Sequence, residues 1–327
     1  MCGIAGVIHL DGQKQVDSGL LERMGETLVH RGPDAGAIWS SGSVGFSHRR
    51  LAILDLVGGD QPKRDPAGNI LSFNGEIYNY IEVRETLKEL GHDFETQSDT
   101  EVLLTAYRQW GIDCLDHLNG MWAFSIWDKA NDRVFLARDR LGEKPLYYAN
   151  FNNSFWFASE IKALLAAGVP DDPDYSMLEV YLSSGYISAP HTFYKHIRSL
   201  PAGYRMVVEG GQVTESKYWD LPEIDEEAMR TDQEKVDEEF EHLLTDSVRI
   251  RMRSDVPYGA FLSGGLDSSS IVALMSEISS HPVETFTVGF TDKDFDERQL
   301  ARAVSEKFKT KHSEAVLELK DFEESLA

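Results

Sequence analysis

The first apolar run, Gly3 to Leu10, starts almost at the terminus and reads as a strand. Leu20, Leu21, Met24 and Leu28 then fall at helical spacing. Val44 to Leu54 and Ile70 to Phe73 predict strands, and Tyr80–Leu90 and Thr100–Trp110 predict helices. Met121–Trp127 and Arg133–Ala137 predict a hairpin around Lys129-Ala130-Asn131-Asp132, with more β pattern at Tyr147–Ala149 and Phe155–Ala158. Many strands without regular strand–helix alternation predict antiparallel sheets with helices segregated outside them.

The rhythm changes after Asp220. Glu223 to Glu241 is dense in carboxylates and reads as a solvated connector. Phe240, Leu243, Leu244, Val248 and Ile250 then mark an amphipathic helix over Phe240–Met252. Tyr258–Leu262 predicts a short buried strand, Ser263–Ser268 a turn, Ser269–Ile278 a helix, Val283–Phe290 a strand and Phe295–Phe308 a helix. Strand–helix–strand–helix order is the beginning of a parallel, doubly wound sheet. Two domains are therefore expected, residues 1–215 and 236–327, joined by an acidic linker, 216–235.

Composition adds exclusions. The net charge is −23, which disfavours nucleic acid and anionic membranes as partners. No apolar run approaches the ~18 residues that span a bilayer. Cys2 and Cys114 are the two cysteines, too few for a disulfide framework, which points to a reducing, cytoplasmic setting. Cys114 lies on the apolar side of a short helical pattern and reads as a core residue.

Cys2 is the first chemical candidate. A small residue after Met1 permits removal of that methionine, leaving Cys2 with an α-amine that can take the proton of its own thiol. Position 2 could equally be arbitrary. Five other segments bear on the choice: His30-Arg31-Gly32-Pro33-Asp34, His48-Arg49-Arg50-Leu51, Phe73-Asn74-Gly75-Glu76-Ile77-Tyr78-Asn79, Ser98-Asp99-Thr100-Glu101 and Arg138–Tyr148. Asn74 and the Gly75 N–H could stabilise an oxyanion, Arg50 could pair with a carboxylate, and Asp99 could hold an ammonium. Taken singly, Asn74-Gly75 also reads as a hairpin turn, Asp99 as a helix cap and the Arg49-Arg50 pair as an exposed strand face. Arg138-Asp139-Arg140-Leu141-Gly142-Glu143-Lys144-Pro145 follows the hairpin.

The second candidate is Ser263-Gly264-Gly265-Leu266-Asp267-Ser268-Ser269, between a strand and a helix. Glycines let backbone approach an anion, the helix N-terminus adds free N–H groups, and the serines add hydroxyls. It lacks the Gly-Lys-Ser/Thr ending of a Walker loop. A Gly-Ser turn capping a helix is the plainer alternative.

In combination and in this order, the first set resembles the class II glutamine amidotransferases, the N-terminal nucleophile glutaminases, over roughly residues 2–215. The second resembles pyrophosphate-loop enzymes, and Ser254–Ser268 with Phe286–Phe290 is similar to the asparagine synthetase family. The resemblance implies an α+β, four-layer αββα domain followed by the start of an α/β pyrophosphate-loop domain. It implies Cys2 as nucleophile, Asn74 and Gly75 as oxyanion hole, and Arg50, Leu51, Ala52, Ile53, Leu54, Asn74, Gly75, Glu76 and Asp99 as glutamine contacts. It implies Leu262, Ser263, Gly264, Gly265, Asp267, Ser268 and Val288 as ATP contacts, with Asp267 on Mg2+ as well. His312 and Glu314 match a His-Glu pair of that family or form a surface strand. Glutamine, aspartate and ATP are the implied substrates, and a homodimer is the assembly to test. The family's aspartate-binding region finds no match here, so a C-terminally truncated chain is expected. A relative amidating another carboxylate, or a glutaminase-only module, remains open.

Overall fold

The structure is a computed structural model that describes residues 1–225, 232–292 and 294–318. The chain forms two compact units, Met1–Glu223 and Ile224–Ala327. Of the expected linker 216–235, residues 226–231 lie outside the described residues, as do 293 and 319–327 of the expected second domain.

Two six-stranded antiparallel sheets build the first unit, with strands numbered in chain order. One runs β10-β8-β9-β1-β3-β2 and is made of β1 (Gly3–His9), β2 (Ala35–Ser41), β3 (Val44–Arg50), β8 (Tyr147–Phe151), β9 (Ser154–Ala158) and β10 (Arg198–Ser199). The other runs β12-β11-β7-β6-β5-β4 and is made of β4 (Lys63–Arg64), β5 (Ile70–Ile77), β6 (Gly120–Asp128), β7 (Arg133–Arg138), β11 (Tyr204–Glu209) and β12 (Gln212–Lys217). Side chains alternate between the two faces of each strand. Ile4 and Ile8 of β1, Phe155 and Phe157 of β9, and Leu136 of β7 meet in a core between the sheets. Ala5, Val7, Trp156 and Ala158 face the other way, against α1 (Ser18–Glu26) and α4 (Ile161–Ala166). The second sheet turns Leu71, Phe73, Phe124 and Phe135 outward against α2 (Tyr80–Glu89) and α3 (Asp99–Trp110). The layers are therefore helix, sheet, sheet, helix. Because β1 is covered on both faces, it reads as a continuous apolar run.

The structure differs from the sequence expectation at several boundaries. The strand expected over Val44–Leu54 ends at Arg50, where the Arg50 guanidinium gathers the carbonyls of the following loop. The strand expected to end at Phe73 continues to Ile77, because β6 offers partners as far as Gly120. Asn74-Gly75 is therefore strand interior and not a turn. A Cβ on Gly75 would lie 2.1 Å from the Met121 carbonyl oxygen, so this register needs glycine there. The expected linker shares its first two residues with β12 and its last three with α6 (Gln233–Arg251). Cys114 is fully buried in a 3-10 helix, Gly111–His117.

The second unit carries a parallel sheet, β13-β14-β15, made of β13 (Gly259–Phe261), β14 (Glu284–Phe290) and β15 (Lys311–Leu317). Helices α7 (Leu266–Ile278) and α8 (Arg298–Phe308) connect them. β13 was expected to be buried, yet Phe261 is 82% exposed. The reason is the strand period: the apolar packing of this region runs through Ala260 and Leu262, which face α7 and α8.

One buried carboxylate ties the β7–β8 connection to β6. Asp139 accepts from the backbone N–H groups of Leu141 (3.1 Å), Glu143 (2.9 Å), Lys144 (2.9 Å) and Trp122 (3.2 Å). Asp139→Asn would aim an amide NH2 at N–H donors, and the buried mismatch should cost about 3 kcal/mol or more. Urea unfolding followed by tryptophan fluorescence measures this; a loss below about 1 kcal/mol contradicts the assigned role.

Candidate active site

Cys2 sits immediately before the central strand β1. Its thiol lies 3.6 Å from the Leu51 carbonyl oxygen and accepts from the Leu51 N–H at 3.4 Å. Burial pushes the thiol pKa up, against the pull of the Leu51 N–H. Burial also lowers the pKa of the amine on Met1. On its carbonyl side Cys2 is held by Arg31, whose Nε donates to Cys2 O at 2.9 Å.

Cys2, Arg50, Leu51, Ile53, Leu54, Gly75, Glu76 and Asp99 line one cleft, joined by Gly59, Gln61, Phe73, Ser98 and Thr100. About 20 Å³ of it is accessible to water, room for about one water molecule. A roomier cavity of about 320 Å³, lined by Lys63, His92, Glu101 and Arg108 among others, contains none of these groups. Chemistry rather than volume selects the site.

Backbone direction explains what the cleft offers. Trp122 donates its N–H to the Asp139 carboxylate and accepts from the Asp139 N–H at 2.8 Å, both on the β7 side. Gly75, opposite Trp122, is then a non-hydrogen-bonded partner in the antiparallel ladder. Its N–H points away from β6, as do those of Phe73 and Ile77. The Phe73 N–H is taken by Gln61 Oε1 at 2.7 Å, and the Ile77 N–H by Asp99 Oδ2 at 2.9 Å. Gly75 between them has no partner among the described residues. Asn74 points to the inter-sheet face, is fully buried, and both its Oδ1 and Nδ2 lack a protein partner. A buried amide without partners is costly. Asn74 and Gly75 thus present two unspent donors from adjacent residues.

Arg50 is buried; its Nη1 donates to Leu56 O (3.1 Å) and its Nη2 to Asp55 O (2.7 Å), with Asp60 Oδ1 at 3.5 Å. These bonds fold residues 51–60 over the cleft. Ala52 does not line it; its N–H donates to Asp34 Oδ2 at 2.9 Å. Asp99 opens α3 behind the Ser98 cap, whose hydroxyl accepts from the Thr100 N–H at 3.1 Å. Half-buried Glu76 and buried Asp99 form an acid pair. Burial, then the Asp99 charge, pushes Glu76 up to about 9. Burial also raises Asp99, but N–H donors from Ile77 and Thr100 restrain it. Of the two carboxyls Glu76 is the more strongly raised.

Three residues near this cleft carried no assigned role in the sequence. Arg31 was part of a quoted motif but was given no task. His48 donates to or accepts from Ser72 Oγ at 3.1 Å across the sheets, and burial holds its pKa down to about 3, so it is neutral. Lys144 is buried with its Nζ 2.7 Å from Met121 Sδ, and Met121 is the register partner of Glu76. Each is polar on a strand or loop that reads as ordinary surface, so only the fold reveals it.

In the second unit the loop before α7 is self-braced. Ser263 Oγ lies 3.0 Å from Ser268 Oγ and accepts from the Gly265 N–H at 3.2 Å. Gly264 has φ +82°, and a Cβ there would lie 2.6 Å from the Leu300 carbonyl carbon, so glycine is required. Asp267 is exposed in the first turn of α7. No cluster of three or more His, Cys, Asp or Glu side chains suited to a metal exists among the described residues. Val288 is 43% exposed on β14, whereas the Leu262 side chain is buried and its N–H is spent on Phe286 O at 2.8 Å. His312 does not stand alone: its Nδ1 is 2.9 Å from Thr285 Oγ1, and Glu314 pairs with Arg302. No helix among the described residues is long and apolar enough to cross a membrane.

A family description of glutamine amidotransferase domains matches residues 1–219, and one of asparagine synthases matches 239–327. Two asparagine synthetases [glutamine-hydrolyzing] of Bacillus subtilis, numbers 1 and 3, are 39% and 35% identical, over 92% and 100% of this chain. The chain spans 48% and 56% of their lengths, about half. The solved glutamine phosphoribosylpyrophosphate amidotransferase of B. subtilis matches at a TM-score of 0.50 with 15% identity, covering 95% of this chain and 65% of that one. This last likeness is one of fold.

Because the folded pKa of Glu76 is raised, its contribution to stability is full below its unfolded value, near pH 4.5, and is lost as pH rises toward 9. Glu76→Gln removes the titration. The melting temperature of Glu76→Gln relative to the unsubstituted protein should therefore rise steadily from pH 5 to pH 8.5, about half a unit inside each end of that window. Scanning calorimetry at several pH values measures it; a flat or falling difference refutes the acid pair.

Proposed function

We infer that this protein hydrolyses glutamine at Cys2, on the premise that the chain belongs to the glutamine amidotransferase family. The observation that carries the reading is a pair of unspent donors from adjacent residues: Gly75, which lines the Cys2 cleft, and the partnerless amide of Asn74, which does not line it. After loss of Met1 the Cys2 amine takes the thiol proton, and the sulfur attacks the glutamine carboxamide. Asn74 and Gly75 donate to the oxyanion that develops. Collapse of the tetrahedral species expels ammonia and leaves a thioester, which water hydrolyses to glutamate. Arg50 pairs with the substrate α-carboxylate, and Glu76 and Asp99 receive the ammonium, Glu76 releasing its proton as the cation arrives.

The second unit supports the rest of the reading. The four-layer glutaminase is joined to a pyrophosphate-loop domain that binds ATP at Ser263–Ser268, beside Val288. Asp267 would hold a Mg2+ ion on the phosphates, and that ion supplies charge neutralisation there. The activity of the whole is asparagine synthesis: aspartate activated by ATP is amidated by ammonia from glutamine. Amidation of another carboxylate is the outcome that a substrate screen would reveal instead.

Cys2→Ala should abolish glutamate release while leaving the circular dichroism spectrum unchanged. Asn74→Ala should lower kcat about 100-fold or more, since one transition-state donor is worth about 3 kcal/mol. Arg50→Ala should chiefly raise KM, because the carboxylate is held equally before and during reaction. A Cys2→Ala enzyme with full glutaminase activity would falsify the nucleophile assignment. For the second unit, calorimetric titration with ATP should show tighter binding when Mg2+ is present, and Asp267→Ala should remove that difference. Equal effects of Mg2+ on both proteins would count against Asp267 as a ligand.

A further inference from the structure

We propose that Glu160 is a positioning residue for the Cys2 nucleophile, acting through Arg31. The proposal rests on the reading of Cys2 as nucleophile and extends it to a residue that does not line the cleft.

Arg31 Nε holds the Cys2 carbonyl oxygen at 2.9 Å. The same guanidinium donates from Nη1 to Glu160 Oε1 at 3.0 Å. Two further nitrogens converge on that carboxylate: His30 Nε2 at 2.8 Å from Oε1 and Lys162 Nζ at 3.1 Å from Oε2. Arg31 is 9% exposed in its side chain, and its remaining nitrogen, Nη2, is buried without a partner. Glu160 is thus the one carboxylate recorded against this guanidinium among the described residues.

The position of Glu160 shows that the contact is not incidental. It occupies the N-cap of α4, with extended backbone (φ −140°, ψ 146°), yet makes no side-chain capping bond. An acidic side chain there would ordinarily serve the first N–H groups of its helix. Glu160 turns away from them to Arg31, 129 residues earlier in the chain. Its neighbour Ser159 accepts from the Ile4 N–H at 3.0 Å, so both residues at this end of β9 brace the start of β1. Partial burial raises the Glu160 pKa, but hydrogen bonds from Arg31, His30 and Lys162 prevail and hold it at about 2. The carboxylate is therefore ionised across the working pH range.

The mechanical consequence concerns one bond. The nucleophilic residue has no chain before it once Met1 is lost. Its backbone is then fixed only from the carbonyl side, by β1 and by Arg31. Loosening Arg31 lets the thiol and amine swing out of the attacking geometry, and misplacement by about 1 Å can cost on the order of 100-fold in rate.

The test is glutamine hydrolysis by the full chain carrying Glu160→Ala or Glu160→Gln. Glu160→Ala should lower kcat about tenfold or more with KM changed less than about twofold, since an interaction that orients only the reacting group affects the chemical step. Glu160→Gln keeps an oxygen for Arg31 Nη1 and should recover most of kcat. Alkylation of Cys2 by iodoacetamide should slow in Glu160→Ala and recover in Glu160→Gln; Cys114, fully buried, does not compete. If Glu160→Ala does not fold, Glu160→Asp, one methylene too short for Arg31, takes its place with the same expected loss. A kcat within about twofold of the unsubstituted enzyme, or a change confined to KM or melting temperature, overturns the proposal. Activity surviving in Cys2→Ala would overturn the nucleophile reading and this one with it, whereas an active enzyme dependent on Cys2 but indifferent to Glu160 sinks this one alone.

Discussion

The structure of the first unit depends on the position of β1 inside its sheet. β3 pairs with it on one side, from Gly3↔Arg49 to Ile8↔Val44, and β9 on the other, from Ala5↔Ala158 to His9↔Ser154. All seven residues of β1 are buried. A strand held on both edges and covered on both faces cannot slip by one residue without turning Ile4 and Ile8 out of the inter-sheet core. The residue just before it therefore has a fixed address. A residue on a flexible terminus would have no defined position, and this register gives Cys2 one.

The same two-residue period grades the inner faces of both sheets from oily to polar. Along β3 it runs Val44, Phe46, His48, Arg50; along β5 it runs Ile70, Ser72, Asn74, Glu76. The apolar ends share one core, while His48 and Ser72 bond to each other midway. The polar ends carry an unpaired amide, a guanidinium spent on loop carbonyls and a carboxyl with a raised pKa. Each of these costs stability in the empty protein. The sandwich tolerates them because the apolar end packs Phe46, Phe155 and Phe157 with almost no exposure. Stability is concentrated at one end of the sandwich and given up at the other, as expected for a site poised for charged ligands.

Much of this was legible in the sequence, and the exceptions have physical causes. β1, β6, β7, α2 and α3 announce themselves because their burial is periodic or continuous. Asn74-Gly75 was ambiguous because the dipeptide favours turns locally, and only the long β6 partner overrides that preference. β2 was not anticipated: Ala35–Ser41 is an edge strand with no fully buried residue. The β11–β12 hairpin at Gly210-Gly211 was missed because β12 buries nothing completely. The catalytic candidates were readable because their chemistry demands particular residue types in a particular order. Glu160 was not, because a glutamate before a helix has an ordinary local explanation, and only the three-dimensional path to Arg31 sets that explanation aside.

The pairing of β1 with β9 also has a consequence for how the chain is made. Ala5 meets Ala158, so β1 waits for a partner that emerges some 150 residues later. At ribosomal rates of about 5–20 residues per second, that is a delay of roughly 8–30 s. Throughout it, an apolar segment reading Gly-Ile-Ala-Gly-Val-Ile has β3 for one edge and nothing for the other. Contacts this distant in sequence form slowly and leave sticky edges exposed while they do. β1 is thus also a strand whose nascent form needs shielding, and conditions that slow elongation lengthen the interval in which it can be lost to aggregation.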